Sequence, residues 1–131
     1  GLRIGYGVAT AEIISFLNRV RPPFNANSLA QRAALAALGD EEHVARSRAV
    51  NEAGMEQMVN GLSSLGFSPI PSEANFVYVD VGRDGRAVFE ALLREGIIIR
   101  HIEGPMVRVT IGLEEENREF LAALKRVIHS Q

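Results

Sequence analysis

The side chains with the most chemical promise in this sequence are arginines. All but one of its fourteen lysine and arginine residues are arginine, and three of these, Arg3, Arg100 and Arg108, fall within strand-like patterns. A guanidinium on a strand face needs an anion or a carboxylate beside it, whereas one on a helix surface needs only water. Arg108 is the sharpest case. It alternates out of phase with Val107 and Val109, so it shares with Thr110 the side of the strand that faces away from those valines. On spacing alone it reads either as an anion ligand or as a sheet-edge arginine bridged to an acid, and the frequency of surface ion pairs favours the second reading.

Other reactive groups are scarce. There is no cysteine, hence no thiolate nucleophile and no disulfide framework. His43, His101 and His129 are scattered, which predicts no metal site. The single lysine, Lys125, sits beside Leu121 and Leu124 near the end of the last helical pattern, where a cation is electrostatically favoured. It reads as a surface residue, so no catalytic residue is assigned within the chain.

The 131 residues are 47% hydrophobic and 23% charged, the composition of a folded domain with one sizeable core. Sixteen acidic residues against fourteen basic ones give a formal charge of −2, which supplies no bulk positive field for nucleic acid or anionic lipid. No apolar run approaches the roughly 20 residues that span a bilayer, and no charged-then-apolar leader opens the chain. The expected location is the cytoplasm, with neither nucleic acid nor membrane as a partner.

Several elements must position the arginines. Leu2 to Ala9, mixing branched residues with Gly5 and Gly7, reads as a short buried strand, and its abrupt start suggests a piece of something larger. Ile13, Phe16, Leu17 and Val20 recur at helical spacing until Pro22 and Pro23. Ser28 with Gln31 reads as the capping box of a second helix, which ends on Gly39 as a left-handed cap. Asp40 caps the longest helix, closed by Gly66. A strand follows from Phe76 to Val81, then a helix from Gly85 to Glu95 capped by Asp84, a strand from Ile97 to Ile102, a Gly104-Pro105 turn, a strand from Met106 to Ile111, and a final helix from Leu113 to Ile128. The fold class is α/β: a leading strand and helices, then a small β-α-β-β-α domain.

Four short motifs in this order carry a family resemblance. Gly1, Leu2, Arg3, Ile4, Gly5 and Tyr6 open the chain. Ser72, Ala74, Asn75 and Phe76 begin one strand, and Gly96, Ile97, Ile98, Ile99 and Arg100 lead into another. Met106, Val107, Arg108, Val109, Thr110, Ile111 and Gly112 are followed by Glu115, Glu116 and Asn117. Together they span almost the whole chain, and their combination resembles the C-terminal portion of fold-type-I pyridoxal-phosphate aminotransferases, in particular the histidinol-phosphate aminotransferases.

The resemblance implies a division at residues 1–39, the end of the cofactor-domain region with connecting helices; 40–70, a long interdomain helix; and 71–131, a small C-terminal domain. It implies pyridoxal 5'-phosphate as cofactor, with Arg3 on its phosphate, and Arg108 on the anionic end of the substrate, joined by Arg100. The parent would move an amino group between histidinol phosphate and 2-oxoglutarate/glutamate in histidine biosynthesis, as a homodimer. The family's working lysine would lie just before the position of Gly1, in a part with the large N-terminal domain, so the isolated chain is expected to be inactive and not to hold the cofactor stably. Arg21 to Asn27 resembles a segment near the active site, with Phe24 and Asn25 as wall residues or as parts of a helix-breaking linker. Tyr6, Asn75 and His101 read as pocket residues or as packing. Two alternatives remain open: another pyridoxal-phosphate enzyme, such as an aromatic aminotransferase or a threonine-phosphate decarboxylase, and a non-catalytic α/β anion-binding module.

Overall fold

A computed structural model describes residues 1–129; Ser130 and Gln131, which end the expected small domain, lie outside the described residues. The chain divides into two compact units, Gly1–Ala45 and Arg46–Gln131.

In the first unit, the expected strand from Leu2 to Ala9 is absent. A strand needs a hydrogen-bonded neighbour and continuous extended backbone. Arg3 instead adopts a left-handed φ of 60°, a region that side chains with a Cβ seldom occupy. The segment's tie is the Leu2 carbonyl, which accepts from Asn27 Nδ2 at 3.4 Å. Helix α1 (Ala11–Val20) is capped by Thr10, whose hydroxyl accepts from the Ile13 amide. Helix α2 (Ser28–Ala37) is capped by Asn27, not Ser28: Asn27 Oδ1 accepts from Ala30 N at 2.8 Å, and Gln31 Nε2 donates to Ala26 O rather than completing a box. An asparagine one position earlier reaches the third helical amide, so Ser28 becomes the first helical residue. The expected left-handed cap at Gly39 is not adopted either; a tight turn from Gly39 N to Ala36 O closes the helix.

Helix α3 (Glu41–Ser64) starts on Asp40, whose carboxylate accepts from His43 N at 3.0 Å. It ends on Gly66 at φ +87°, with Phe67 N donating back to Leu62 O, the left-handed stop that a glycine permits. Strand β1 (Phe76–Asp80) is followed by α4 (Gly85–Arg94), then β2 (Arg100–Glu103), β3 (Met106–Thr110) and α5 (Glu114–His129). This is the expected β-α-β-β-α order. The second strand is shorter than its apolar run, since Ile97 to Ile99 form no ladder and pairing begins only at Arg100.

The sheet is antiparallel with β3 in the middle, in the order β1-β3-β2. Val77, Val79, Val107 and Val109 are buried with Met58 and Leu62 of α3, Val88 and Leu92 of α4, and Phe120, Ala123, Leu124 and Val127 of α5. Burying each large apolar side chain contributes about 1.5–3 kcal/mol, so this helix-backed face holds the unit together. The opposite face, carrying Phe76, Tyr78, Arg100 and Arg108, is free of that demand. Among the described residues, no helix is long and apolar enough to cross a membrane.

Candidate functional site

Strand β3 sends its side chains alternately to the two faces. Val107 and Val109 enter the core, and Arg108 emerges on the other side, as its phase in the sequence requires. Its partners across the ladder are Tyr78 on β1 and Arg100 on β2. Directly opposed residues share a face, so Tyr78, Arg108 and Arg100 form one row across the sheet.

Within that row the guanidinium of Arg108 leans toward β1. Its Cζ lies over the Phe76 ring, 5.0 Å from the centroid. Its Nε is buried and makes no hydrogen bond. A buried unpartnered donor on a cation costs roughly 1–3 kcal/mol or more, and two like charges facing each other across a ladder add repulsion. Neither Arg108 nor Arg100 makes an ion pair with an acid among the described residues. The sheet-edge ion pair that spacing favoured is therefore absent for Arg108. An oxyanion on the terminal nitrogens would offset the repulsion between the two cations, and a guanidinium fork suits a carboxylate or a phosphate.

The turn after β3 is fixed by groups the sequence did not single out as working parts. Ile111 N donates to Asn75 O at 2.9 Å. Asn117, 2% exposed, receives Gly112 N on Oδ1 at 2.9 Å and donates through Nδ2 to Gly112 O at 3.1 Å and to Gln57 Oε1 at 3.0 Å. Glu116 Oε2 accepts from Leu113 N at 2.7 Å, the reach-back half of a capping box. Asn117 thus joins the exit of the arginine strand to α5 and α3. The available signal was Gly54, a glycine inside α3 that lowers helix propensity by about 1 kcal/mol and so marks a close approach. A Cβ there would run into Ile111 Cγ2 and the Asn117 amide.

The remaining expected residues divide between the units. Arg3, in the first unit, is exposed and has no ion pair or hydrogen bond among the described residues. It is flanked by Gly1, Gly5 and Gly7, where an added Cβ would meet nothing within 4 Å. Its donors are open to a phosphate group. Lys125, the single lysine, is exposed on α5. Tyr6 and Phe24 are 92% and 96% exposed, and Asn25 Oδ1 accepts from Arg21 Nη1 at 3.2 Å. Asn75 contributes backbone to the ladder. His101 pairs with Val107 and so faces away from Arg100, its Nε2 donating to Gly104 O at 3.2 Å; its role is to close the turn.

Comparison with known proteins agrees with this frame. The chain is 53% identical over 132 aligned residues to histidinol-phosphate aminotransferase 1 of Nitrosococcus oceani, an alignment that covers 98% of the chain and 36% of that relative. It therefore spans about a third of the length of the curated relatives it matches. The solved histidinol-phosphate aminotransferase from Clostridium acetobutylicum superimposes with a TM-score of 0.78 at 28% identity, over 92% of this chain and 39% of that one. The enzyme of the same name from Sinorhizobium meliloti, solved in complex with pyridoxal-5'-phosphate, gives 0.76 at 27% identity over 88% and 34%. Residues 1–124 match the model of the aminotransferase class I and II family, and the chain belongs to that family.

Proposed function

We propose that this chain is the C-terminal portion of a pyridoxal-phosphate-dependent histidinol-phosphate aminotransferase, a homodimeric cytoplasmic enzyme that exchanges an amino group between histidinol phosphate and 2-oxoglutarate/glutamate. The observation that carries the reading is the unpaired Arg108, mounted on the central strand with a buried Nε that bonds to nothing. Identity of about half to relatives of that name supports the choice of substrates. In the same reading, residues 71–131 act as the small domain, and 40–70 as the helix leading into it.

Arg108 binds the substrate's anionic end, the phosphate of histidinol phosphate and the carboxylate of glutamate in turn, and Arg100 adds charge from the neighbouring strand. Arg3 binds the cofactor phosphate. When bound, the cofactor supplies an electron sink for charge developing at the substrate's α-carbon. The arginine fork fixes the oxyanion in position and plane, which orients the bond to be broken. In this reading, as the family resemblance implies, the amine that holds the cofactor comes from the part of the polypeptide outside this chain. The isolated chain is accordingly inactive.

The test is transamination of histidinol phosphate by the full-length polypeptide. Truncating one partner of a desolvated charge pair costs about 2–5 kcal/mol, so Arg108→Ala lowers kcat/KM by roughly 30-fold to a few thousand-fold. Arg108→Lys keeps the charge, loses the fork and recovers only part. Unchanged kcat/KM in Arg108→Ala would remove the arginine from the site.

A further inference from the structure

Phe76 was expected only as the beginning of a strand, yet it makes the one ring contact of Arg108 among the described residues. Its register partner on β3 is Thr110, and the partner of Arg108 on β1 is Tyr78. The guanidinium has therefore passed over the aromatic side chain directly opposite and reached diagonally to the next ring on the same face. Diagonal neighbours lie within reach of long side chains. The contact is a choice of direction along the sheet, not a consequence of adjacency.

A ring beneath a guanidinium does something that a carboxylate cannot. It attracts the cation through its π face and takes none of the N–H donors, which point outward in the guanidinium plane. A paired acid would hold the arginine equally well but would occupy the edge that a ligand needs. In Arg108 the Nε is closed off and unbonded, so the donors left for a ligand are those of the two terminal nitrogens, Nη1 and Nη2.

We propose that Phe76 is a positioning residue for an oxyanion at Arg108: its ring holds the guanidinium flat so that the Nη1–Nη2 edge meets two oxygens of a phosphate or carboxylate. This deepens the function proposed above and rests on Arg108 being an anion ligand. It also accounts for the absence of a counter-acid, since the ring supplies attraction without competing for the donors.

The experiment is the binding of inorganic phosphate to the full-length polypeptide by titration calorimetry, with Phe76→Leu, Phe76→Tyr, Arg108→Ala and the double variant Phe76→Leu/Arg108→Ala. A cation–π contact of ordinary strength corresponds to about a 3- to 30-fold change in the dissociation constant. Phe76→Leu is expected to weaken phosphate by that factor, and Phe76→Tyr, which keeps the π face, to stay within about twofold of the parent. In the Arg108→Ala background the leucine is expected to add no further loss, because the ring then has nothing to hold. If leucine impairs folding, Phe76→Met replaces it. Equal losses from leucine with and without Arg108, or parent-like binding in both Phe76→Leu and Phe76→Met, would overturn the positioning role while leaving Arg108 as the ligand. Unaltered binding in Arg108→Ala would instead overturn the site itself.

Discussion

Replacing Gly54 by alanine sets two effects of opposite sign against each other. In an exposed helix the change stabilises by about 1 kcal/mol, because alanine is the better helix former. At this position the new methyl would collide with Ile111 Cγ2, lie 3.0 Å from Asn117 Nδ2 and 3.4 Å from Gly112 O. Overpacking of that kind costs about 1–3 kcal/mol. Pushing the Asn117 amide from its place leaves a buried polar group unsatisfied, at about 1–3 kcal/mol more. The packing and hydrogen-bond terms outweigh propensity, for a net loss of about 1–5 kcal/mol. With an m-value of about 2 kcal/mol per M, the urea midpoint of the chain should fall by about 0.5–2.5 M, with the slope unchanged. The assay is far-UV circular dichroism across a urea series. A midpoint equal to or above that of the parent would refute the reasoning, because it would mean that α3 and the turn after β3 separate freely and that Gly54 is not a spacer.

Two further outcomes follow from named contacts. Asn117→Ala removes three hydrogen bonds and leaves the Gly112 amide without its acceptor, so thermal unfolding should shift down by roughly 8–20 °C for a loss of about 2–4 kcal/mol; a shift under 3 °C would show that the network is not needed. Asp84→Ala removes the cap on α4, whose carboxylate accepts from Arg86 N at 3.0 Å. The expected loss is about 1 kcal/mol, recovered by Asp84→Ser, and a full-sized loss in the serine variant would mean that the carboxylate acts otherwise than as a cap.

The helices were legible because their ends are chemically marked. Asp40 and Asp84 cap where their types demand, and Gly66 and Gly96 stop α3 and α4. Competition between adjacent capping residues was not legible: Asn27 and Ser28 both suit the position, and geometry selects the one whose oxygen meets the Ala30 amide. The segment from Leu2 to Ala9 has strand-like composition, but a strand also requires a partner, which composition does not carry. For the site, alternation alone put Arg108 on the correct face. Its contact with Phe76 depends on the register between β1 and β3, set by the intervening α4 and β2, and no local pattern encodes that offset. Asn117 stood in a recognisable motif with Gly112, yet its other partner, Gln57, lies 60 residues away, beyond local spacing rules.

The middle place of β3 also bears on the order in which the molecule opens. A central strand is laddered on both edges, its amides pointing alternately to one neighbour and the other, so the strand as a whole comes free only when both neighbours have let go. Arg108 is thus carried by a segment whose opening should require the unit's most extensive unfolding. Fraying that begins at the flanking strands β1 and β2 reaches Phe76 and Arg100 first, so the parts that would orient and supplement the proposed anion site are lost before the residue at its centre.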